Sequence, residues 1–290
     1  MSNNISKIIL GSAQFGLNYG IASKNEYLNS ITINKILSYA YAQGINSIDT
    51  AKNYGDSEKK IGEYLSKNIN QKWKIITKVN SNKSKLVHQL EESKQKTFLS
   101  PSILMSHSLD LFVSDLYQED LVLCKEKYSS LKFGVSVYDE KEIEQAISCR
   151  IKPEVIQVPL NILDKRLYNS NIIYECKKLG IEVHARSIFL QGLFFLSDAQ
   201  IKKQFNDAFP ALWELKKIGK KYGLTLSELS LLWVNNINFI DKLIIGVDNL
   251  KQLKMNVEVL RKKNIVNFSD EILNVIYENE NILNPQKWEI

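Results

Sequence analysis

Short apolar runs alternate along the chain with longer stretches in which apolar residues recur at helical spacing. Eight of the runs read as strands: Lys7 to Leu10, Ile45 to Asp49, Lys74 to Val79, Ser102 to His107, Lys132 to Val137, Glu154 to Pro159, Gly180 to Ser187, and Leu243 to Val247. Helices fall between them. Thr32 reads as the N-cap of a helix through Tyr41, ended by Gly44, and Ser57 as the cap of one reaching Lys67. Residues 83–96 form a polar helix, and another lies between Val113 and Tyr128. Further helices are expected at 139–148, 168–179, 206–222, 226–235, Leu250 to Arg261, and 269–279.

Strands that alternate with helices are parallel strands joined by crossovers. Eight such units in one chain of 290 residues suit a (β/α)₈ TIM barrel better than an open doubly wound sheet, the alternative for this pattern. There is no convincing repeat, low-complexity segment or internal linker, so residues 1–290 are expected to form a single domain.

Composition narrows the function classes. The chain is 44% hydrophobic and 24% charged, as expected of a globular protein with a sizeable core. Its net charge of +6 comes from lysines spread along the whole length, which argues for a solvated surface rather than a nucleic-acid patch. An anionic small ligand is compatible with that charge. Cys124, Cys149 and Cys176 are far apart and form no C-x-x-C pair, so they read as buried structural thiols in a reducing compartment. The segment from Met1 to Lys7 is polar, and no apolar run is long enough to cross a membrane. The expectation is a cytoplasmic protein, with no metal site, membrane or nucleic acid involved and protein partners unspecified.

Candidate chemistry appears at the strand ends. In a barrel, reactive side chains stand at the C-terminal ends of the strands. Asp49 closes the second strand, Lys78 the third and His107 the fourth, while Tyr54 lies in the loop after the second. Each has an ordinary structural reading alone: a loop cap, an exposed strand-end charge, a satisfied histidine. Together they bring a phenol, a lysine, a carboxylate and an imidazole to one rim. A phenol is a weak acid, with an ordinary pKa of about 10, and becomes useful when a cation stabilises its phenolate. Lys78 is the candidate cation.

These residues resemble the aldo-keto reductase family along nearly the whole chain. Ile48-Asp49-Thr50-Ala51 with Tyr54-Gly55 and Ser57-Glu58 is similar to the family segment that carries its catalytic Asp and Tyr. Ile75-Ile76-Thr77-Lys78 resembles the strand supplying the catalytic Lys, and Leu104-Met105-Ser106-His107 the strand supplying the His. The resemblance implies reversible hydride transfer between a nicotinamide cofactor and a carbonyl. Tyr54 would act as general acid, Lys78 would stabilise its phenolate, Asp49 would orient Lys78, and His107 would donate a hydrogen bond to the carbonyl.

For the cofactor, the resemblance assigns Ser136 and Gln157 to the nicotinamide carboxamide, and Ser187 with Gln191-Gly192-Leu193 to the pyrophosphate. Gly246, Asp248, Gln252 and Asn256 fall in the segment that takes the adenosine phosphate end. Two departures stand out. Ser136 is followed by Val137 where the family often has Asn, and Arg186 occupies the position of an aromatic that stacks on nicotinamide. Arg186 reads equally as a stacking guanidinium or as a strand-end salt bridge. NADP(H) is favoured on family grounds and NAD(H) stays open, because Asp248 would suit ribose hydroxyls better than a phosphate.

Phe15, Tyr19, Leu109 and Phe189 are expected to line the substrate pocket, with Asn18 and Asn53 nearby, and the tail with Trp288 either walls the pocket or packs on the barrel bottom. Such a pocket suits a sugar-like or other small polar carbonyl. The alternative function is a catalytically silent, cofactor-sensing barrel that regulates a protein partner, of which the family contains examples.

Overall fold

The eight apolar runs become eight parallel strands: β1 (Ile8–Gly11), β2 (Ser47–Asp49), β3 (Lys74–Val79), β4 (Ile103–Ser106), β5 (Lys132–Ser136), β6 (Val155–Pro159), β7 (Glu182–Arg186) and β8 (Lys242–Gly246). They pair in chain order, and β8 returns to β1, closing a barrel. The computed structural model describes residues 4–23, 28–81, 83–168, 170–261 and 269–288.

Helices cross between successive strands. They are α1 (Ala13–Gly16), α2 (Ser30–Ala42), α3 (Ser57–Leu65), α4 (Leu86–Thr97), α5 (Leu109–Val113), α6 (Asp115–Lys127), α7 (Glu140–Ser148) and α8 (Asn171–Lys178). After β7 come α9 (Asp198–Gln204), α10 (Phe209–Lys221) and α11 (Leu226–Asn235); after β8 come α12 (Leu250–Arg261), α13 (Ser269–Leu273) and α14 (Glu280–Leu283).

Several boundaries differ from the sequence pattern for local reasons. The cap of α2 is Asn29, whose side chain accepts from the Thr32 N–H, so Thr32 is capped rather than capping. Ser57 opens α3 but makes no cap; its hydroxyl is turned into the barrel rim. The stretch 109–127 is two helices, because Ser114 is extended between them.

Alternation along the strands sorts the side chains. Residues facing outward pack under the helices in one large core that includes Leu10, Ile48, Ile75, Leu104, Phe133 and Val183. A separate cluster, Ile9, Ile76, Ile103, Met105 and Val155 with Ile244 against it, draws on five strands, β1, β3, β4, β6 and β8, and fills the barrel interior. Gly134 makes room for that layer: a Cβ there would lie 2.9 Å from Met105 Cε and 2.6 Å from Val155 O. The next inward positions toward the C-terminal rim are Asp49, Lys78, Ser136, Gln157 and Arg186, two residues beyond interior positions on their strands.

Among the described residues no helix is long and apolar enough to cross a membrane. Cys124 and Cys176 are buried as expected, whereas Cys149 is partly exposed; all three thiols are free.

Candidate active site

The loop after β2 is held by a compact set of hydroxyl contacts. Ser57 Oγ bonds Ser12 O at 3.0 Å and lies 3.1 Å from Thr50 Oγ1, while Ser12 Oγ donates to Asp49 O at 2.8 Å. Thr77 Oγ1 donates to the buried Glu58 carboxylate at 2.7 Å, tying α3 to β3. A Cβ on Gly16 would sit 1.8 Å from Tyr54 O, and one on Gly55, at φ +51°, would sit 2.4 Å from Gly16 O. The two turns therefore meet backbone to backbone, which only glycine permits at both positions. These contacts fix the segment between Asp49 and Tyr54.

At the rim, the Lys78 ammonium donates to the Asp49 carboxylate, and the two side chains are 3% and 4% exposed. Asp49's other oxygen accepts from Gln157 Nε2 at 2.6 Å. The Lys78 Nζ also lies 5.4 Å from the centre of the Tyr54 ring. Tyr54 and His107 meet edge to face, with ring centres 5.8 Å apart. The four residues singled out in the sequence are therefore neighbours.

Their electrostatics follow from enclosure. Burial raises the Tyr54 phenol above its ordinary range, the Asp49 carboxylate raises it further, and the Arg186 guanidinium opposes both. Tyr54 is thus a protonated phenol at neutral pH. Burial pulls the Lys78 ammonium down, against the upward pull of Asp49. His107 is lowered to about 4 by burial and by the neighbouring Lys78, so its imidazole is neutral at pH 7. Because Asp49 matches the charge of Lys78, Arg186 supplies the remaining positive field at Tyr54, a part the sequence pattern assigns to Lys78 alone.

Arg186 ends β7 and is half-buried. Its Nε donates to Ser136 Oγ at 3.1 Å, one terminal nitrogen to Val137 O at 3.2 Å, and the other to Ser187 Oγ at 3.4 Å. The guanidinium carbon lies 4.2 Å from the centre of the Tyr138 ring. Among the described residues the hydrogen-bond acceptors of Arg186 are neutral oxygens and it forms no ion pair with a carboxylate.

These side chains surround a cavity of about 360 Å³ at the C-terminal mouth of the barrel. Asp49, Tyr54, Lys78 and His107 line it, as do Ser136, Gln157, Arg186, Ser187, Gly192, Gly246, Asp248 and Gln252. Of the expected pocket residues, Tyr19 and Phe189 line it. Phe15 is fully buried in the outer core, and Leu109 packs in that core from the first turn of α5, so neither forms a wall. Asn256 lies farther along α12, outside the lining. Trp288 packs edge-on against Phe205 at 4.8 Å, and it is Gln286 that reaches the cavity.

Several lining residues escape the sequence reading. Tyr138 lies beneath Arg186, and Gln14 lies against Gly246, where a Cβ would come within 2.6 Å of the Gln14 amide. Ser12 directly follows β1 and Tyr138 lies two residues past β5, so the strand-end rule could have found them. Gln191, which the resemblance places in the pyrophosphate loop, carries a left-handed φ of +48° and accepts the Ile21 N–H at 2.9 Å, joining the loops after β1 and β7. That contact to the loop after β1 is tertiary and carries no local signal in the sequence.

The cavity also carries unsatisfied buried atoms. Gln157 Oε1 and His107 Nδ1 have no partner. Ser136 Oγ accepts from Arg186, so its own hydrogen is free to donate. One acceptor beside one hydroxyl donor is the complement of a carboxamide, with its NH₂ and C=O, so this end fits a nicotinamide. At the other end, Gln252 Oε1 accepts the Asp248 N–H at 2.7 Å, and Gln252 Nε2 donates back to Asp248 Oδ2 at 3.1 Å. That lock holds a carboxylate at the cavity beside the start of α12. Lys251 is exposed, and Lys254 lies over the Tyr39 ring at 5.6 Å. Among the described residues, no three His, Cys, Asp or Glu side chains gather as metal ligands.

Comparison with known proteins agrees with this architecture. The profile of the Aldo/keto reductase family matches residues 7–276. No curated protein matches the sequence. Two solved structures from Pseudomonas aeruginosa, both described provisionally as aldo-keto reductases, are similar in fold. The first has a TM-score of 0.64 and 18% identity, covering 88% of this chain and 89% of its own. The second has a TM-score of 0.63 and 18% identity, covering 88% of each chain.

Proposed function

The chain belongs to the aldo/keto reductase family, and we propose that it reduces an aldehyde or ketone to the alcohol with a reduced nicotinamide dinucleotide. The observation that carries this reading is the enclosed Lys78–Asp49 pair beside Tyr54, with a neutral His107 edge-on to the phenol.

When bound, the dinucleotide supplies the hydride. The chain's own residues then manage the carbonyl oxygen. Tyr54, protonated because it is buried, donates its proton to that oxygen as negative charge develops there. His107, neutral at physiological pH, donates a hydrogen bond to the same oxygen and orients it. Lys78 and Arg186 offset the charge left on the Tyr54 oxygen. Asp49 holds Lys78 in place, and Gln157 in turn holds Asp49. Ser136 and Gln157 hold the carboxamide, Ser187 and Gly192 border the phosphates, and Gly246 leaves room beside Gln14.

The Asp248–Gln252 lock favours NAD(H) over NADP(H), against the family default. A carboxylate accepts ribose hydroxyls but repels a 2′-phosphate, and the two lysines of this turn lie elsewhere. For substrate, the aromatic walls Tyr19 and Phe189, with Asn53, Gln191 and Gln286 around them, favour a small polar carbonyl such as a sugar aldehyde. The test is carbonyl-dependent oxidation of NADH and NADPH across a panel of sugar and simple aldehydes. Turnover on any of them supports the reading. Tight dinucleotide binding with no turnover on the whole panel points instead to the cofactor-sensing barrel.

A further inference from the structure

Arg186 lines the cavity and, among the described residues, forms no ion pair with a carboxylate. A guanidinium has five N–H donors in a rigid plane. Three are taken by Ser136 Oγ, Val137 O and Ser187 Oγ, all neutral. One face is covered by Tyr138 at 4.2 Å. The nearby Glu142 carboxylate feels the positive charge but accepts from the Tyr138 N–H, at 2.7 Å, rather than from Arg186. Lys78 is matched by Asp49. The net positive charge of this end of the cavity therefore resides on Arg186, and three hydrogen bonds and a ring hold it there.

We propose that Arg186 makes the site discriminate between the two redox states of its cofactor, binding reduced nicotinamide in preference to oxidised. The inference rests on the nicotinamide reading of the preceding section. Arg186 bonds directly to Ser136, one of the two side chains suited to the carboxamide, and the carboxamide is attached to the ring that changes charge. Reduced nicotinamide is neutral and oxidised nicotinamide carries a positive charge. A fixed cation one side chain away repels only the oxidised form, and a half-buried setting screens that repulsion weakly. The neutral form meets a polarisable plane at no such cost. The consequence is a protein loaded with reduced cofactor and quick to release the oxidised one, a bias toward carbonyl reduction built into the end of β7.

The test measures binding, separately from turnover. NADH and NAD⁺ are each titrated by calorimetry against wild type, Arg186→Gln and Arg186→Lys, with a thermal melt of each variant as a folding check. Wild type is expected to prefer NADH. The ratio of the two dissociation constants should shrink on the order of tenfold in Arg186→Gln, and Arg186→Lys should recover most of it, because the charge and not the fork carries the effect. If both forms bind and Arg186→Gln leaves the ratio unchanged, the proposal is overturned while the nicotinamide reading stands. If wild type binds neither form, nor NADPH nor NADP⁺, the nicotinamide reading falls and this inference with it.

Discussion

Lys78 and Asp49, on adjacent strands β3 and β2, form an ion pair with side chains only 3% and 4% exposed. Asp49 is also bonded to Gln157 on β6, across the barrel mouth. The pair therefore sits in a fixed frame, and its two halves cannot be removed independently at the same cost.

Breaking this pair should destabilise the fold more than deleting it. Asp49→Ala leaves a buried ammonium without its carboxylate, a loss of about 3–5 kcal/mol for enclosed pairs. The double variant Asp49→Leu with Lys78→Met removes both charges and should recover much of that loss. Chemical denaturation of the two variants checks this. A double variant no more stable than Asp49→Ala would show that the pair is not the source of the cost.

His107 should make stability fall with acid in a defined window. Its folded pKa is lowered to about 4, below the ordinary value of 6.5. Between those values the unfolded chain binds a proton that the folded chain does not, so the stabilisation is complete above pH 6.5 and is lost as pH falls toward 4. Glu182 extends the slope. Its hydrogen bond from His184, and then Lys132, holds it down at about 2 against an ordinary 4.5, so its contribution is lost below pH 4.5. His107→Gln should flatten the upper part of the profile only, and Glu182→Gln the lower part only. Melting temperatures across that range separate them.

Cofactor choice should follow Asp248. NADH is expected to bind more tightly than NADPH, and Asp248→Ala should improve NADPH selectively, by about tenfold for removal of one nearby like charge. Fluorescence titration with both reduced cofactors measures it. NADPH binding tighter than NADH in wild type, and indifferent to Asp248→Ala, would restore the family default.

How much of this was legible beforehand depended on whether a signal was local. The apolar runs at 74–79 and 243–247 and the helix from Leu250 to Arg261 could be read because strand and helix periods differ within a few residues. Asp49, Lys78 and His107 could be read because strand ends in a barrel converge, so three distant segments become one rim. Tyr54 needed the glycine turn beside it. Phe15 and Leu109 misled because an aromatic or aliphatic residue just after a strand looks the same whether it walls a cavity or anchors a short helix to the core; only packing decides. Arg186 was visible as a departure from the family pattern. That its charge meets no carboxylate among the described residues depends on what β5 and α7 present to it, residues some fifty positions away in sequence.

The central claim is that Tyr54 delivers the proton to the carbonyl oxygen, and Tyr54→Phe tests it most directly. The substitution keeps the ring that packs against His107 and removes the one oxygen that donates. Single-turnover reduction of a good aldehyde substrate should slow by about 10²- to 10⁴-fold, with cofactor affinity nearly unchanged. A Tyr54→Phe protein that binds reduced cofactor normally and retains half or more of the wild-type rate would contradict the account.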